Sequence, residues 1–274
     1  MHSVQISFFA SLVLLTPCVF ADDCTFPGKT ETWHDSVLHL FEIDGRDCKV
    51  VCPEKAAEGK PWIWRARFWG HEPQADVALV GKGFHVVYMD VGGLFGNTEA
   101  VAHWDSFYDY LTVDHGFAKK AALEGMSRGG LIIYNWAIKN PSKVSAIYAD
   151  APVLDIRSWP GGKGRGAGSG NDWRYCLEAY GMTEAQALAD MNGPLNKLKI
   201  LADADVPLLH VVGARDLVVP LPENTDILER RYREMGGKIE VISKPNGGHH
   251  PHSLKDPKPI VDFILVSSGI EVSP

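Results

Sequence analysis

Short apolar segments alternate with segments whose apolar residues recur at helical spacing along most of this chain. Between residues 37 and 52, apolar and polar residues alternate on both sides of an Asp-Gly-Arg-Asp stretch, which predicts a hairpin joining the first two strands. Further strands are predicted at residues 62–69, 84–91, 119–124, 144–150, 206–213 and 238–242. Helices are predicted at residues 73–80, 98–111, 131–138, 223–235 and 260–265. This order predicts an α/β fold: a mostly parallel, twisted sheet with right-handed crossovers and helices on both faces.

The alternation stops between about residues 151 and 195. This part of the chain includes the glycine-rich stretch 161–170, which lacks the spacing of a phosphate-binding loop and does not directly follow a strand. We interpret residues 151–195 as an irregular insertion that forms a mobile flap over one edge of the sheet. A plain surface linker is the alternative.

The first 21 residues have the pattern of a secretory signal peptide. Residues 8–15 are apolar but too few to cross a bilayer, and residues 19–21 offer small side chains for cleavage. Because residues 1–5 include no Lys or Arg, a buried first strand is the alternative. We expect residues 1–21 to be removed and residues 22–274 to form one secreted or periplasmic domain. No other segment is long and apolar enough to span a membrane.

Composition narrows the classes of function. The 274 residues are 45% hydrophobic and 22% charged, an ordinary globular balance, and the net charge of −7 argues against nucleic-acid or anionic-membrane binding. Without the signal peptide four cysteines remain, an even number that fits disulfides in an oxidising compartment: Cys24, Cys48, Cys52 and Cys176. Cys48 and Cys52 would lie too far apart on a straight strand, so we expect Cys24 to pair with one of them.

A candidate nucleophile lies where a predicted strand gives way to a helix. Residues 125–129, Gly-Met-Ser-Arg-Gly, match the G-x-S-x-G pattern at this junction. A serine there occupies a tight turn that lifts its hydroxyl above the sheet edge, and Gly125 and Gly129 leave room for the chain to pass. The amides at the start of the helix would stabilise negative charge developing on a bound carbonyl oxygen.

A serine nucleophile needs a base within hydrogen-bonding reach and a carboxylate that orients the base. Asp216 and His249 each follow a late predicted strand, giving the order serine, acid, histidine. Asp150, at another strand end, is the alternative acid, and His250 or His252 is the alternative base. We expect no metal at these histidines, because no neighbouring carboxylate or cysteine pattern accompanies them.

The chain resembles the α/β-hydrolase superfamily over most of residues 37–266. The motifs that carry the resemblance are the serine turn at residues 125–129, Asp216 after a late strand, and the histidine loop before the last helix. The resemblance implies an α/β-hydrolase fold with Ser127 as nucleophile, His249 as base and Asp216 as acid. The amino-acid sequences of residues 64–71, 125–130 and 249–253 are similar to those of secreted bacterial esterases associated with polysaccharide breakdown. That similarity implies a serine esterase that cleaves carbohydrate esters through an acyl-serine without a cofactor. The rivals are a peptidase or lipase-like acyl hydrolase and a catalytically silent carbohydrate-binding protein.

The resemblance also implies an oxyanion hole. One donor is expected to be the amide of Arg128, which directly follows the nucleophile. The His-Gly pair that commonly follows the third strand is absent, so the second donor is expected near Arg65 or Ala66.

Tryptophans and cations supply the expected contacts to a sugar. Stacking on sugar rings is expected for Trp64, Trp69 and Trp159, although core packing is the commoner role of such residues. Pairing with an acidic sugar is expected for these cations: Arg65, Arg67, Arg128, Lys163 and Arg165. An internal partner such as Glu124 or Asp150 is the alternative for Arg128. The acyl group, the sugar and the oligomeric state are not determined by the sequence.

Overall fold

A nine-stranded sheet forms the centre of the computed structural model, which describes residues 24–271. The predicted signal peptide, residues 1–21, lies outside the described residues. The strands are β1 (Lys29–Trp33), β2 (Ser36–Ile43), β3 (Arg46–Cys52), β4 (Trp62–Ala66), β5 (His85–Met89), β6 (Ala121–Met126), β7 (Val144–Asp150), β8 (Leu208–Gly213) and β9 (Ile239–Lys244). Their order across the sheet is β1-β2-β3-β5-β4-β6-β7-β8-β9.

The sheet has an antiparallel side and a parallel side. The strands β1, β2, β3 and β5 pair antiparallel, and the strands from β5 to β9 pair parallel in sheet order. The predicted hairpin is confirmed as β2 and β3, whose register begins at Val37 opposite Cys52. The hairpin was predicted to contain the first two strands, but β1 precedes it in the chain, so its strands are the second and third. Four of the five residues of β1 are exposed, so no buried face imposes a hydrophobic alternation on that strand.

Helices cover both faces of the sheet, as predicted. They are α1 (Gln74–Val80), α2 (Thr98–Asp109), α3 (Gly129–Lys139), α4 (Gly170–Tyr180), α5 (Glu184–Ala189), α6 (Leu198–Asp203), α7 (Thr225–Glu234) and α8 (Lys258–Ser267). Apolar residues of α2, α3, α6 and α7 pack against one face, and those of α1 and α8 against the other. The central strands β4 to β8 are buried along their whole length, as expected for parallel strands covered on both faces.

The segment 151–195 is more regular than predicted, because it includes the short helices α4 and α5. The side chain of Ser169 caps α4, and Thr183 and Gln186 form a capping box at the start of α5. In α5 only Ala187 is buried, so the segment offers too short an apolar pattern to identify a helix by its periodicity.

A cluster of tryptophans fills the core beneath β4 and corrects one prediction. Trp64 is fully buried and stacks on Trp104 of α2 with ring centroids 3.9 Å apart. The expectation that Trp64 contacts a substrate is therefore wrong, since no substrate reaches its ring without unpacking the core. Trp62 and Trp136 are also fully buried beside it. These large side chains fill the space between β4 and the helices α2 and α3.

One disulfide joins the N-terminal segment to the sheet. Cys24 and Cys52 are bonded, with their Cα atoms 6.1 Å apart, which confirms the expected pairing of Cys24 with one cysteine of the hairpin. Cys48 and Cys176 are free and buried. Burial raises the pKa of each of these two thiols to about 12, so neither is a ready nucleophile at neutral pH.

Candidate active site

Ser127 lies in a strained turn between β6 and α3. Its φ of 50° falls in the left-handed region, which costs a non-glycine residue about 1 kcal/mol or more. Backbone hydrogen bonds hold this conformation: the amide of Ser127 donates to the carbonyl of Asp150 at 2.9 Å, and its carbonyl accepts from Gly130 and Val153, each at 2.9 Å. The turn thereby presents the hydroxyl at the edge where the parallel strands end.

The glycines of the motif are required by close packing around this turn. A Cβ atom on Gly125 would lie 2.9 Å from the backbone of Gly129, and one on Gly129 would collide with the carbonyl oxygen of Ala66. Larger residues at either position would push α3 away from β4 and β6. The spacing of the G-x-S-x-G motif therefore follows from how tightly the helix packs on the strands.

The structure brings Ser127, His249 and Asp216 into one hydrogen-bonded chain. His249 Nε2 lies 3.0 Å from Ser127 Oγ, and His249 Nδ1 lies 2.7 Å from Asp216 Oδ2. The other carboxylate oxygen of Asp216 accepts hydrogen bonds from the amides of Val218 and Val219, each at 2.8 Å. Because the carboxylate faces Nδ1, that nitrogen carries the proton, and Nε2 is left to accept from the serine hydroxyl.

The alternative acid and base form a separate pair. Asp150 Oδ1 lies 2.6 Å from Nδ1 of His252, and Asp150 Oδ2 accepts from the amide of Ser253 at 2.7 Å. His250 is exposed, and the centroid of its ring lies 5.0 Å from that of His249. Two histidine–carboxylate pairs therefore lie side by side, and only the one that includes His249 is hydrogen-bonded to Ser127 in the described chain.

The oxyanion-hole expectation is supported by the position of Arg128 and contradicted at Arg65. Arg128 is the residue that immediately precedes α3, so its amide lies at the helix N-terminus beside the nucleophile. Arg65 lies inside β4, opposite Tyr88 of β5 and Glu124 of β6, so its amide belongs to the sheet. The prediction for Arg65 is wrong because β4 continues to Ala66, and only the following loop is free to turn toward Ser127.

The side chain of Arg65 holds the loop that follows β4. Its guanidinium is buried and bonds to side-chain oxygens of Asp76 and Glu124. It also donates to the carbonyl of Phe68 at 3.3 Å and to the carbonyl of His71. The sequence does carry a signal for this cluster: Arg65, Asp76 and Glu124 are charged residues within otherwise apolar segments. A buried charge is almost always paired with an opposite one, so such residues are expected to contact each other.

Glu124→Gln is expected to flatten the dependence of stability on pH. Burial raises the pKa of Glu124 well above its ordinary value, although the neighbouring Arg65 opposes the shift. The folded state therefore keeps a proton that the unfolded chain releases above its ordinary carboxyl pKa. The stability this proton contributes is complete below that pKa and is lost as the pH rises toward the raised one, by up to about 1.4 kcal/mol per pH unit.

Urea unfolding at several pH values between about 5 and 8 tests this prediction. The free energy of unfolding of the wild type should fall across this range more steeply than that of Glu124→Gln. Glu58→Gln, a change of the same kind at an exposed loop position, is the control and should follow the wild type. Parallel curves for the wild type and Glu124→Gln would contradict the assignment.

A cavity of about 400 Å³ opens beside the nucleophile. Its walls are Phe68, Trp69, His71, Ser127, His249, His250 and His252. Trp69, one of the tryptophans expected to contact a substrate, thus lies in the same cavity as the serine. The loop after β4 contributes two large aromatic rings and the imidazole of His71, and the loop after β9 contributes the other three imidazoles.

None of the predicted cations lines the cavity beside Ser127. The guanidinium of Arg128 lies 5.6 Å from the ring centroid of Trp159 and pairs with Asp172 at 2.9 Å, so its partner is neither of those proposed from the sequence. Burial lowers the pKa of Arg128, and nearby Arg67 adds to the effect. Trp159 is half-buried and does not line the cavity that includes Ser127.

Two further predicted cations, Lys163 and Arg165, have partners away from the cavity. Lys163 Nζ pairs with Glu184 at 2.5 Å, and the backbone amide of exposed Arg165 donates to Glu223. Neither side chain lines the cavity beside Ser127. The glycine-rich stretch instead packs at Gly166 against the backbone of Val218, in the turn after Asp216.

Solved structures with the same fold confirm the architecture. A puromycin-hydrolyzing peptidase from Mycobacterium tuberculosis superposes with a TM-score of 0.67 and 16% sequence identity, over 87% of this chain and 40% of that one. This chain has the α/β-hydrolase fold. An acylaminoacyl peptidase from Pyrococcus horikoshii superposes with a TM-score of 0.62 and 16% identity, over 88% and 41% of the two chains. The predicted fold class is thus confirmed.

The likeness to these hydrolases does not extend to sequence or to length. A putative dipeptidyl aminopeptidase IV from Bacteroides ovatus has a TM-score of 0.60 at 14% identity, over 85% of this chain and 34% of that one. This chain therefore spans about two fifths or less of the neighbours' length. No protein-family model and no curated protein matches the sequence. Within residues 24–271, no helix has the length and apolarity to cross a bilayer.

Proposed function

We propose that this chain is a serine hydrolase that cleaves acyl bonds through an acyl-serine intermediate. The observation that carries the proposal is the unbroken hydrogen-bonded chain from Ser127 Oγ through His249 to Asp216. A catalytically silent protein would have no need to keep a strained serine, a buried histidine and a buried carboxylate in this register.

The geometry assigns each step to one group. Ser127 Oγ attacks the acyl carbon as His249 Nε2 takes its proton, and the carbonyl oxygen becomes an oxyanion. The imidazolium then gives that proton to the leaving group, whose bond to the acyl carbon breaks. Water then attacks the acyl carbon as His249 Nε2 takes its proton. The bond from the acyl carbon to Oγ breaks, the proton returns to Oγ, and the carboxylic acid product is released. Asp216 holds the imidazole in one tautomer and stabilises its cationic form.

The oxyanion is held by backbone amides in this proposal. The amide of Arg128 at the N-terminus of α3 is one donor. The second is assigned to the loop after β4, where Arg67 and Phe68 have φ values of 79° and 52°. Phe68 lines the cavity that includes Ser127, and the left-handed conformation of these two residues turns the loop away from the extended path of β4.

Amide bonds are the proposed substrates. The neighbours in fold are named as a puromycin-hydrolyzing peptidase and an acylaminoacyl peptidase, which supports a peptidase more than a carbohydrate esterase. The cavity wall formed by Phe68 and Trp69 would accept an apolar side chain of an aminoacyl group. Carbohydrate esters are the second candidate, because Trp69 offers an aromatic face within reach of the nucleophile. We retain a secreted or periplasmic location as part of the proposal.

A matched panel of substrates separates the two candidates. The same acyl group is presented as an aminoacyl anilide and as a phenyl ester, beside acetyl, methyl-uronate and feruloyl esters of polysaccharides. A peptidase should hydrolyse the aminoacyl anilide and leave the glycan esters intact, whereas a carbohydrate esterase should show the reverse. A drop in activity of several orders of magnitude in Ser127→Ala excludes a contaminating enzyme. A wild-type protein that hydrolyses none of these substrates, the simple phenyl ester included, would contradict the proposal.

A further inference from the structure

Three histidines that are not part of the Ser127 hydrogen-bonded chain place their ring nitrogens close together. His71 lies on the loop after β4, and His250 and His252 lie on the loop after β9. One nitrogen from each ring lies within 4.8 Å of the other two, and residues 24–271 contain no second such group of histidine, cysteine or carboxylate side chains. These loops are 179 residues apart in sequence, from position 71 to position 250, and they meet because their strands end at the same edge of the sheet.

We propose that His71, His250 and His252 bind one Zn²⁺ ion beside the nucleophile. Three imidazole nitrogens with a fourth position open to solvent or substrate are a common ligand set for zinc in proteins. Carboxylate ligands, which Ca²⁺ and Mg²⁺ prefer, are absent from this group of three.

The best-placed ligand is His252, because a carboxylate fixes its orientation. Asp150 Oδ1 lies 2.6 Å from His252 Nδ1, and the same carboxylate accepts from the amide of Ser253 at 2.7 Å and from the hydroxyl of Tyr148 at 3.2 Å. Nδ1 therefore donates, and Nε2 keeps a lone pair directed away from Asp150. A carboxylate behind a metal-binding histidine is the usual outer partner of such a ligand, and it raises the basicity of the ring.

His249 is excluded from the zinc site by its own hydrogen bonds. Its Nδ1 faces Asp216 at 2.7 Å, and its Nε2 faces Ser127 at 3.0 Å, so both nitrogens are occupied. The centroid of its ring is nevertheless only 4.9 Å from that of His252. The two histidine–carboxylate pairs can thus serve two different purposes, one for proton transfer and one for metal binding.

His71 is held near the other two ligands by the buried Arg65. The guanidinium of Arg65 donates to the carbonyls of Phe68 and His71, and it is itself anchored by Asp76 and Glu124. The rings of His71 and His252 lie edge to face, 5.8 Å apart between centroids. This anchoring fixes the backbone of His71 while leaving its exposed ring free to rotate toward an ion.

The spacing of the nitrogens suits zinc after a small contraction. Zn–N bonds of about 2.0–2.1 Å in a tetrahedral site place two ligand nitrogens about 3.4 Å apart. The present separations of up to 4.8 Å exceed that value by at most about 1.4 Å, roughly the length of one covalent bond. His71 and His250 are exposed, so rotation of their side chains can close the difference without moving the core.

The ion would lie in the same cavity as Ser127, because all three ligands line that cavity. Its open coordination position would therefore face the space that a substrate occupies. A carboxylate or carbonyl oxygen of an acyl substrate is the chemical group that such a position would take.

Zinc titration of a protein without a polyhistidine tag tests the proposal. The protein is first treated with a chelator and dialysed, and Zn²⁺ is then added during isothermal titration calorimetry. One ion per chain should bind with a Kd in the micromolar range or below. Co²⁺ should give the visible absorption bands of a tetrahedral site. The measurement needs no enzymatic activity, so its result tests the zinc site independently of the proposed hydrolase function.

Variants locate the ion. His71→Ala and His250→Ala remove exposed side chains, should leave the melting temperature unchanged and should each weaken Zn²⁺ binding at least tenfold. Asp150→Asn should weaken it about tenfold if the variant melts cooperatively. His103→Ala, on α2 and outside the cluster, is the control and should bind as the wild type does.

Two results would overturn the zinc site. One is the absence of saturable Zn²⁺ binding by the wild type, which would leave the Asp150–His252 pair as a purely structural contact. The other is binding that is equally strong in His71→Ala and His250→Ala, which would place the ion elsewhere. Ser127→Ala should keep the site intact, because the serine contributes no ligand.

Discussion

Ser127→Ala is expected to lower kcat by roughly 10⁴- to 10⁶-fold, the range typical of nucleophile removal in serine hydrolases. The remaining activity would come from binding and from the oxyanion donors alone. The fold should survive, because the turn is held by backbone hydrogen bonds to Asp150, Gly130 and Val153 that an alanine also makes. Alanine keeps the β-carbon, so the packing around the turn also changes little.

The measurement compares turnover of an activated ester and the melting temperature for three proteins. Ser106→Ala removes an exposed hydroxyl from α2 and serves as the control, which should match the wild type in both quantities. A Ser127→Ala protein that turns over at the wild-type rate would refute the nucleophile assignment. A variant that is inactive but also fails to melt cooperatively would call for Ser127→Gly, which removes the same hydroxyl and tolerates the left-handed turn better.

The second large effect is expected at His249 and not at His252. His249→Ala should lower kcat about as much as Ser127→Ala, since without the imidazole the hydroxyl keeps its proton. His252→Ala should reduce kcat by no more than about tenfold, because its ring is bonded to Asp150 and not to the serine. The two positions are a matched pair, since each histidine is buried and hydrogen-bonded to a buried carboxylate.

Substitutions of Asp216 and Asp150, the carboxylates bonded to these two histidines, provide the same comparison. Asp216→Asn should favour the wrong tautomer of His249 and lower kcat by about 10⁴-fold, whereas Asp150→Asn should spare the chemical step. All four variants are assayed with a chelator present, so that loss of zinc from the site of His252 does not count as loss of the base. Near-normal turnover of His249→Ala together with a severe loss in His252→Ala would reverse the assignment.

The elements of the fold were accessible from the sequence because their signals are local. Hydrophobic periodicity identified the hairpin of β2 and β3, the buried parallel strands and most of the helices that cover them. Two of the missed elements have little local signal: β1 is an exposed edge strand, and α5 buries only Ala187. Burial on one face creates the periodicity, so an element without a buried face cannot be recognised by it.

The tertiary structure corrected residues whose role depends on what they contact. Trp64 and Arg65 were expected at the substrate because they adjoin a loop, yet both side chains point into the interior. One belongs to the stack with Trp104, and the other anchors the loop through His71 and Phe68. β4 is a central strand covered on both faces, so it buries side chains of either orientation, and its place in the sheet is not written in the residues beside it.

The sequence by itself determined the α/β-hydrolase fold, the position of the strained serine and the order of serine, acid and histidine along the chain. Only the tertiary structure decided the pairing, with Asp216 on His249 and Asp150 on His252. Only the tertiary structure also showed that His71 lies beside His250 and His252. The sequence did not indicate a metal site there, because no carboxylate or cysteine pattern accompanies these histidines. The reason is that a parallel sheet gathers the carboxyl ends of distant strands at one edge, and sheet order sets which ends are neighbours.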